Sequence, residues 1–104
     1  MRRTESRFTS ADVQAVALQM GEAVRAARIA RNSTLEAVAQ RARMSPVTWM
    51  RIERGEVSVA TGSWLAALQE TGLLERVAAV FAPQPAPPPA RKRARRSNAD
   101  DFDF

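Results

Sequence analysis

The chain has 104 residues, and its 16 lysine and arginine residues exceed its 11 aspartate and glutamate residues, giving a formal net charge of +5. It contains no histidine and no cysteine, so it lacks imidazole bases, thiolate nucleophiles and the usual zinc ligands. Carboxylates alone need a sizeable cleft for catalysis, and a chain this short has little room for one. We therefore expect no enzyme, no metal site and no cofactor, and nucleic acid is the first partner that a small basic chain suggests.

Most of the basic surplus lies in one stretch of the chain. Residues 25–54 carry seven arginines and two glutamates, a net charge of +5. Arginine makes planar, forked contacts with phosphate and with guanine, so this clustering favours a nucleic-acid surface. No apolar run approaches the roughly 18 residues that span a bilayer, and the basic start of the chain is not followed by the apolar core of a signal peptide. We expect a soluble cytoplasmic protein without membrane contact.

The first predicted helix covers residues 10–30, where apolar side chains recur at helical spacing. Thr9 and Asp12 have the spacing of a capping box, with aspartate in place of the usual glutamate. Gly21 interrupts the pattern at a cost of about 1 kcal/mol relative to alanine. One continuous helix and two shorter helices are both compatible with this pattern.

Two short helices joined by a tight turn are predicted next. The first of them begins at Ser33 or Thr34, either of which suits the N-cap position. The second, over residues 46–54, has the clearest start in the chain, because Ser45 suits the N-cap and Pro46 suits the first helical position. This arrangement predicts a helix-turn-helix, in which the second helix enters the major groove of DNA.

Two more helices are predicted over residues 60–70 and 73–81, and no segment has a strand pattern. At Pro83 the composition changes to a proline-rich spacer, which is followed by a basic run and by an acidic end with two phenylalanines. The chain is therefore predicted to be all-α. Its three parts are a flexible basic arm (residues 1–9), a helix-turn-helix DNA-binding and dimerisation domain (10–82) and a disordered Pro/Arg-rich tail (83–104).

Three segments of this domain resemble the XRE (Cro/CI repressor-like) helix-turn-helix family. They are Met20-Gly-Glu-Ala-Val-Arg-Ala-Ala-Arg28, Thr34-Leu-Glu-Ala-Val-Ala39 and Ser45-Pro-Val-Thr-Trp-Met-Arg-Ile-Glu-Arg-Gly55. The resemblance covers about residues 18–82 and implies a five-helix, lambda-repressor-like fold that binds double-stranded DNA. It also implies a structural ion pair between Arg28 and Glu53, which joins the first helix to the end of the recognition helix.

The resemblance further implies which residues contact DNA and which form the core. The groove-facing positions are Pro46, Val47, Thr48 and Arg51. The candidate phosphate contacts are Arg31, Thr34, Leu35, Arg43, Ser45 and Arg54. The matched core positions are Val38, Ala39, Ala42, Met44, Trp49 and Ile52. Arg51 is the strongest candidate for reading a base, because arginine binds guanine through two hydrogen bonds.

Two departures from the family bear on specificity. Leu35 stands where the family often has a glutamine that touches the DNA backbone, and Arg43 stands where the turn often has glycine. The groove-facing positions also carry few hydrogen-bonding side chains. We therefore expect an affinity dominated by phosphate contacts, with modest sequence readout.

The segment from Gly55 to Val80 is most similar to HipB-type antitoxins and related regulators. This resemblance implies a homodimer that represses its own operon and holds a HipA-like kinase toxin. Independently, the last helix offers more apolar surface than a short terminal helix usually buries, which predicts a dimer on a palindromic operator. The predicted dimer interface is Leu73, Leu74, Val77, Val80 and Phe81.

The tail leaves three interpretations open. Its basic run contacts phosphates, or Phe102 and Phe104 bind a partner protein, or the two charge runs screen each other in a solvated segment. The main prediction is a dimeric DNA-binding repressor that serves as antitoxin and autoregulator. The alternative is a protein-interaction module that neutralises a partner through its tail, with DNA binding secondary.

Overall fold

The computed structural model describes residues 9–85, and within that range it contains five helices and no strand. The helices are α1 (Ala11–Ala30), α2 (Leu35–Arg41), α3 (Pro46–Glu53), α4 (Thr61–Glu70) and α5 (Leu74–Val80). The prediction of an all-α, five-helix fold is therefore confirmed. The predictions for the basic arm up to residue 8 and for the tail from residue 86 on, with its basic run and Phe102 and Phe104, lie outside the described residues.

α1 begins one residue later than the capping-box pattern suggests. Ser10, not Thr9, is the N-cap, with an extended backbone (φ −65°, ψ 159°). Its hydroxyl accepts a hydrogen bond of 3.1 Å from the backbone N–H of Val13. The prediction of a cap at Thr9 is therefore wrong by one position, because serine at the next position offers the same hydroxyl acceptor.

α1 continues through Gly21 without a break, because α1 and the end of α3 touch at this residue. A Cβ atom at Gly21 would lie 2.5 Å from the carbonyl oxygen of Ile52 and 2.8 Å from that of Glu53. Both are backbone atoms at the end of a helix, which cannot rotate aside as the end of a flexible side chain can. Glycine is therefore present for close helix packing, and that packing outweighs its poor helix propensity.

Local capping sets the starts of α2 and α3, and a left-handed residue makes the turn between them. Thr34 caps α2 by accepting a 3.1 Å hydrogen bond from the backbone N–H of Ala37. Ser45 caps α3 in the same way, with Pro46 at the first helical position. Arg43, in the turn, has φ +61°, a conformation that glycine adopts more easily than arginine does.

The core lies where α1, α2, α3 and α4 converge. Trp49 and Ile52 of α3 are completely buried, so the inward face of this helix is anchored. The buried cluster consists of Val24, Val38, Ala39, Trp49, Ile52, Val59, Trp64, Ala67 and Leu68. Ala42 and Met44, also predicted for the core, are partly buried and pack against this cluster. No helix within residues 9–85 is long and apolar enough to cross a membrane.

Candidate nucleic-acid interface

A hydrogen-bonded ion pair attaches α3 to α1. The Arg28 guanidinium donates from Nε to Glu53 Oε2 at 2.6 Å and from Nη2 to Glu53 Oε1 at 3.1 Å. Its Nη1 donates to the carbonyl oxygen of Ser33 at 3.1 Å, and the Trp49 indole N–H donates to Glu53 Oε2 at 2.7 Å. The arginine and glutamate side chains are only 15% and 7% exposed. This set of bonds fixes the position of α3 relative to α1 and to the turn before α2.

The ion pair also sets the charge state of Glu53. Burial by itself raises the pKa of this carboxyl, but hydrogen bonds from Arg28 and Trp49, and the charges of Arg28 and Arg25, lower its pKa below the ordinary value. The pKa of Arg28 is raised by its hydrogen bond to Glu53. Glu53 is therefore ionised at neutral pH, and Arg28 is neutralised and does not contribute positive charge to the surface.

The outward face of α3 lies opposite Trp49 and Ile52. Val47, Met50 and Arg54 share this face, because they are three, four and seven positions apart on the helix. Val47 is 59% exposed, Arg54 is exposed and Met50 is partly buried. The sequence prediction omitted Met50, although its spacing of three from Val47 was a signal that it belongs to this face.

Pro46 and Thr48, two of the predicted groove-facing residues, lie in different surroundings. Pro46 is exposed at the start of α3. Thr48 is half-buried, and its Oγ1 accepts a 3.0 Å hydrogen bond from the hydroxyl of Ser45. The same Ser45 oxygen accepts the backbone N–H of Thr48 at 3.1 Å. Thr48 and Ser45 thus hold the start of the helix, and Pro46 and Val47 are presented outward.

Arg51, the predicted base reader, is bound to the loop that follows α3. Its Nε donates to Glu56 Oε1 at 2.9 Å, and its Nη2 donates to the hydroxyl of Ser58 at 2.7 Å. Glu56 also neutralises its charge. A contact between Arg51 and guanine therefore requires the guanidinium to leave these two partners or to share them.

Several candidate phosphate contacts already have intramolecular roles. Arg31 donates from Nη1 to the carbonyl oxygen of Glu70, at 2.8 Å, and so binds the last turn of α4. Arg41 of the same basic stretch forms an ion pair with the Glu70 carboxylate. The side chain of Leu35 packs against the core, and the hydroxyl of Thr34 accepts the capping N–H of α2.

Three arginines of the basic stretch remain unpaired within the described part of the chain. Arg25, Arg43 and Arg54 are exposed and form no side-chain hydrogen bond or ion pair with any residue from 9 to 85. They lie on α1, in the turn before α3 and at the end of α3. They are the residues of this stretch with charge most available to a phosphate.

The predicted dimer residues separate into two groups. Leu73, Leu74 and Val77 are partly buried and pack against the core of their own chain. Val80 and Phe81 are 71% and 79% exposed. Three of the five side chains therefore contribute to the fold of the single chain, and two are free for contact with another surface.

The two short capped helices, the tight turn between them and the exposed outward face of α3 together define a helix-turn-helix DNA-binding domain. A family model described as a helix-turn-helix domain matches residues 19–78, which is more than half of the chain, and the chain belongs to this family. Comparison with curated proteins and with solved structures found no match.

Proposed function

We propose that this protein is a transcriptional regulator of the XRE type, a repressor that binds double-stranded DNA by inserting α3 into the major groove. The observation that carries the proposal is the contrast between the two faces of α3. The inward face is fully buried at Trp49 and Ile52, whereas the outward face exposes Val47 and Arg54, which has no ion pair with any residue from 9 to 85. A recognition helix needs this combination of rigid attachment and free surface.

The residues around the outward face are suited to two kinds of DNA contact, apolar contact with bases and ionic contact with phosphates. Val47 is an aliphatic side chain that fits the methyl group of thymine, and Pro46 beside it has no hydrogen-bond donor. Arg25, Arg43 and Arg54 are suited to phosphates because none of them forms an ion pair with a residue from 9 to 85. Leu35 packs inward against the core, so its side chain does not take the place of the glutamine that touches the DNA backbone in the family.

Arg51 has a conditional role in this proposal. Its bonds to Glu56 and Ser58 hold the side chain beside the recognition helix in the absence of DNA. Guanine O6 and N7 would compete with these two acceptors for the same guanidinium. We expect readout by Arg51 to be weaker than that of an unpaired arginine, because the bond to Glu56 has to be given up.

The proposal is tested by selecting duplexes from a random pool with the full chain and measuring affinities for the best sequence. Arg54→Ala is expected to weaken binding to selected and unrelated duplexes alike, because a phosphate contact is independent of sequence. Val47→Ala is expected to relax the preference at one A·T position. Arg51→Ala is expected to cost less than the about 1–3 kcal/mol of a good bidentate base contact.

Arg76→Ala is the matched control, since Arg76 is an exposed arginine on α5 outside the helix-turn-helix. It removes the same charge and should leave affinity nearly unchanged. If wild-type protein selects no duplex and binds none at low salt, DNA binding is not the function. If Arg54→Ala and Arg76→Ala have equal effects, Arg54 at the end of α3 does not contact a phosphate.

We also propose the finer assignment that the resemblance to HipB-type proteins suggests. In it, the chain is a homodimer on a palindromic operator, an antitoxin and the autoregulator of an operon that encodes a HipA-like kinase toxin. Support comes from the similarity of residues 55–80 and from the exposed Val80 and Phe81. A kinase-like gene next to this one, and a stable complex of the two purified proteins, are the expected results. Their absence would leave a regulator without a toxin.

A further inference from the structure

The loop after α3 carries two acceptors that hold Arg51 near the C-terminal end of this helix. Glu56 and Ser58 lie five and seven positions beyond Arg51, and they accept hydrogen bonds from its Nε and Nη2 at 2.9 and 2.7 Å. In a recognition helix, the N-terminal residues are the ones that meet base edges, and in α3 these follow the N-cap Ser45. The two bonds therefore draw the guanidinium away from the end of α3 that reads bases.

The bonds that hold Arg51 can be broken without disturbing the core. The side chains of Arg51 and Glu56 are 38% and 36% exposed, and neither residue belongs to the buried cluster. Both line an open cleft of about 550 Å³, which is also lined by Gln14 and Leu18 of α1. The guanidinium therefore has space to leave the loop, and Glu56 can be substituted without loss of packing.

Glu56 and DNA compete for the same guanidinium. The bond from Arg51 to the carboxylate is charge-assisted, and such hydrogen bonds are about twice as strong as neutral ones. Guanine O6 and N7 are neutral acceptors, so they have to displace a stronger partner. Exposure to solvent weakens the ion pair, which makes the competition close. Removal of the carboxylate should therefore shift the balance toward guanine.

We propose that Glu56 is a specificity-determining residue, which restrains Arg51 and thereby suppresses a guanine preference that α3 has when the arginine is released. The inference rests on the proposed function, because it concerns how α3 reads DNA. It goes further by assigning control of this readout to a residue outside the helix. With Arg51 restrained, the wild-type protein depends on Val47 and on phosphate contacts.

The test compares the duplexes that wild type and Glu56→Ala select from a random pool, with the full chain in both cases. The Glu56→Ala sequences are expected to contain a G·C position at which wild type has a weak preference. At that position, the ratio of affinities for G·C and A·T duplexes should rise about fivefold or more, the low end of what a bidentate arginine contact gives. In an Arg51→Ala background, Glu56→Ala should leave the ratio unchanged, because the reading side chain is absent.

Glu36→Ala is the matched control for the loss of a negative charge. Glu36 is exposed on α2 of the same helix-turn-helix and forms no ion pair with any residue from 9 to 85. Both substitutions should raise the affinity for all duplexes by a similar small factor. Only Glu56→Ala should change the preference for guanine.

Glu56→Gln provides a second variant that keeps the length of the side chain. Its amide oxygen still accepts a hydrogen bond from Arg51 but carries no charge, so the guanine preference should rise by less than in Glu56→Ala. Circular dichroism melts check that all variants fold, as expected when a partly exposed ion pair is removed.

Two results would overturn the inference while leaving the regulator proposal intact. If Glu56→Ala and wild type select the same sequences with equal ratios, Glu56 does not restrain Arg51. If Glu56→Ala loses a guanine preference that wild type has, the glutamate positions Arg51 for reading. If neither wild type nor any variant binds a duplex at low salt, the proposed function fails, and this inference fails with it.

Discussion

Glu53 shows how one side chain connects the fold to the presentation of the recognition helix. Its carboxylate receives two hydrogen bonds from Arg28 and one from the Trp49 indole, and it is almost fully buried. A buried charge without these partners would be costly, so the three groups function as a unit. Because the unit joins α1 to the last turn of α3, disturbing it should shift the recognition helix as well as destabilise the domain.

The lowered pKa of Glu53 makes the stability of the domain depend on pH. The unfolded chain binds a proton at this carboxyl near its ordinary pKa of 4.5, whereas the folded chain resists protonation to lower pH. The stabilisation is therefore complete above pH 4.5 and is lost as pH falls through the folded-state pKa. Glu53→Gln should lose about 1–3 kcal/mol at pH 7 and should show a smaller drop in melting temperature between pH 5 and pH 3.

Glu75→Gln is the control for this experiment, since Glu75 is exposed on α5 and has no ion pair among the described residues. It should follow the wild-type profile within about 0.5 kcal/mol. Thermal melts by circular dichroism at each pH provide the comparison. A Glu53→Gln profile that parallels wild type from pH 7 to pH 3 would show that the ion pair does not stabilise the fold.

At the scale of elements, the approach of α1 to the end of α3 is the contact that places the recognition helix. Gly21 on α1 faces the carbonyl oxygens of Ile52 and Glu53, and its missing side chain lets the two helices touch. Gly55, just after α3, has φ +75°, and a Cβ atom there would lie 2.6 Å from the Cα of Leu18 on α1. Glycine at both positions, one on α1 and one just after α3, therefore lets α1 and the end of α3 approach closely.

Gly21→Ala and Gly62→Ala form a matched pair that tests this crossing. A Cβ at Gly21 would overlap backbone atoms, so the substitution should destabilise the domain by about 1–3 kcal/mol or more. A Cβ at Gly62 in α4 meets nothing within 4 Å, so alanine there should stabilise by up to about 1 kcal/mol. Urea unfolding measures both. Equal effects of the two substitutions would mean that α1 and α3 do not pack as described.

At the scale of the whole molecule, internal pairing leaves fewer arginines free for DNA than the seven in residues 25–54 suggest. Of the seven arginines in residues 25–54, Arg28, Arg41 and Arg51 form ion pairs and Arg31 binds a carbonyl oxygen. The unpaired set within the described residues is Arg25, Arg43 and Arg54. The surface that faces DNA in the proposed function is thus moderately basic.

The salt dependence of DNA binding should report how many of the three unpaired arginines contact phosphates. Each phosphate contact adds about 0.9 to the slope of log affinity against log salt, so three arginines predict a slope near −3 per bound protomer. Titrations between low and physiological salt measure it. A slope close to zero would contradict phosphate binding by these residues. A slope markedly steeper than −3 would assign further contacts to the basic run at residues 91–96.

The sequence by itself determined where α3 begins and which side chains of α2 and α3 lie in the core. Ser45 and Pro46 act on neighbouring backbone groups, so their roles are readable without any tertiary information. For α2 the sequence left Ser33 and Thr34 open, and the structure shows Thr34 as the N-cap. Helical spacing likewise identified Trp49 and Ile52 as the inward face of α3.

Only the tertiary structure decided the roles that depend on residues far apart in the chain. Gly21 was ambiguous until the end of α3 was found against it, and Arg31 has its partner 39 positions away at Glu70. Val13 and Val16 are exposed because the helices that pack against the rest of α1 do not cover its first turns. Local sequence specifies caps and periodicity because the interacting groups lie within one turn. Helix crossings, charge pairing and uncovered surfaces arise only when distant segments meet.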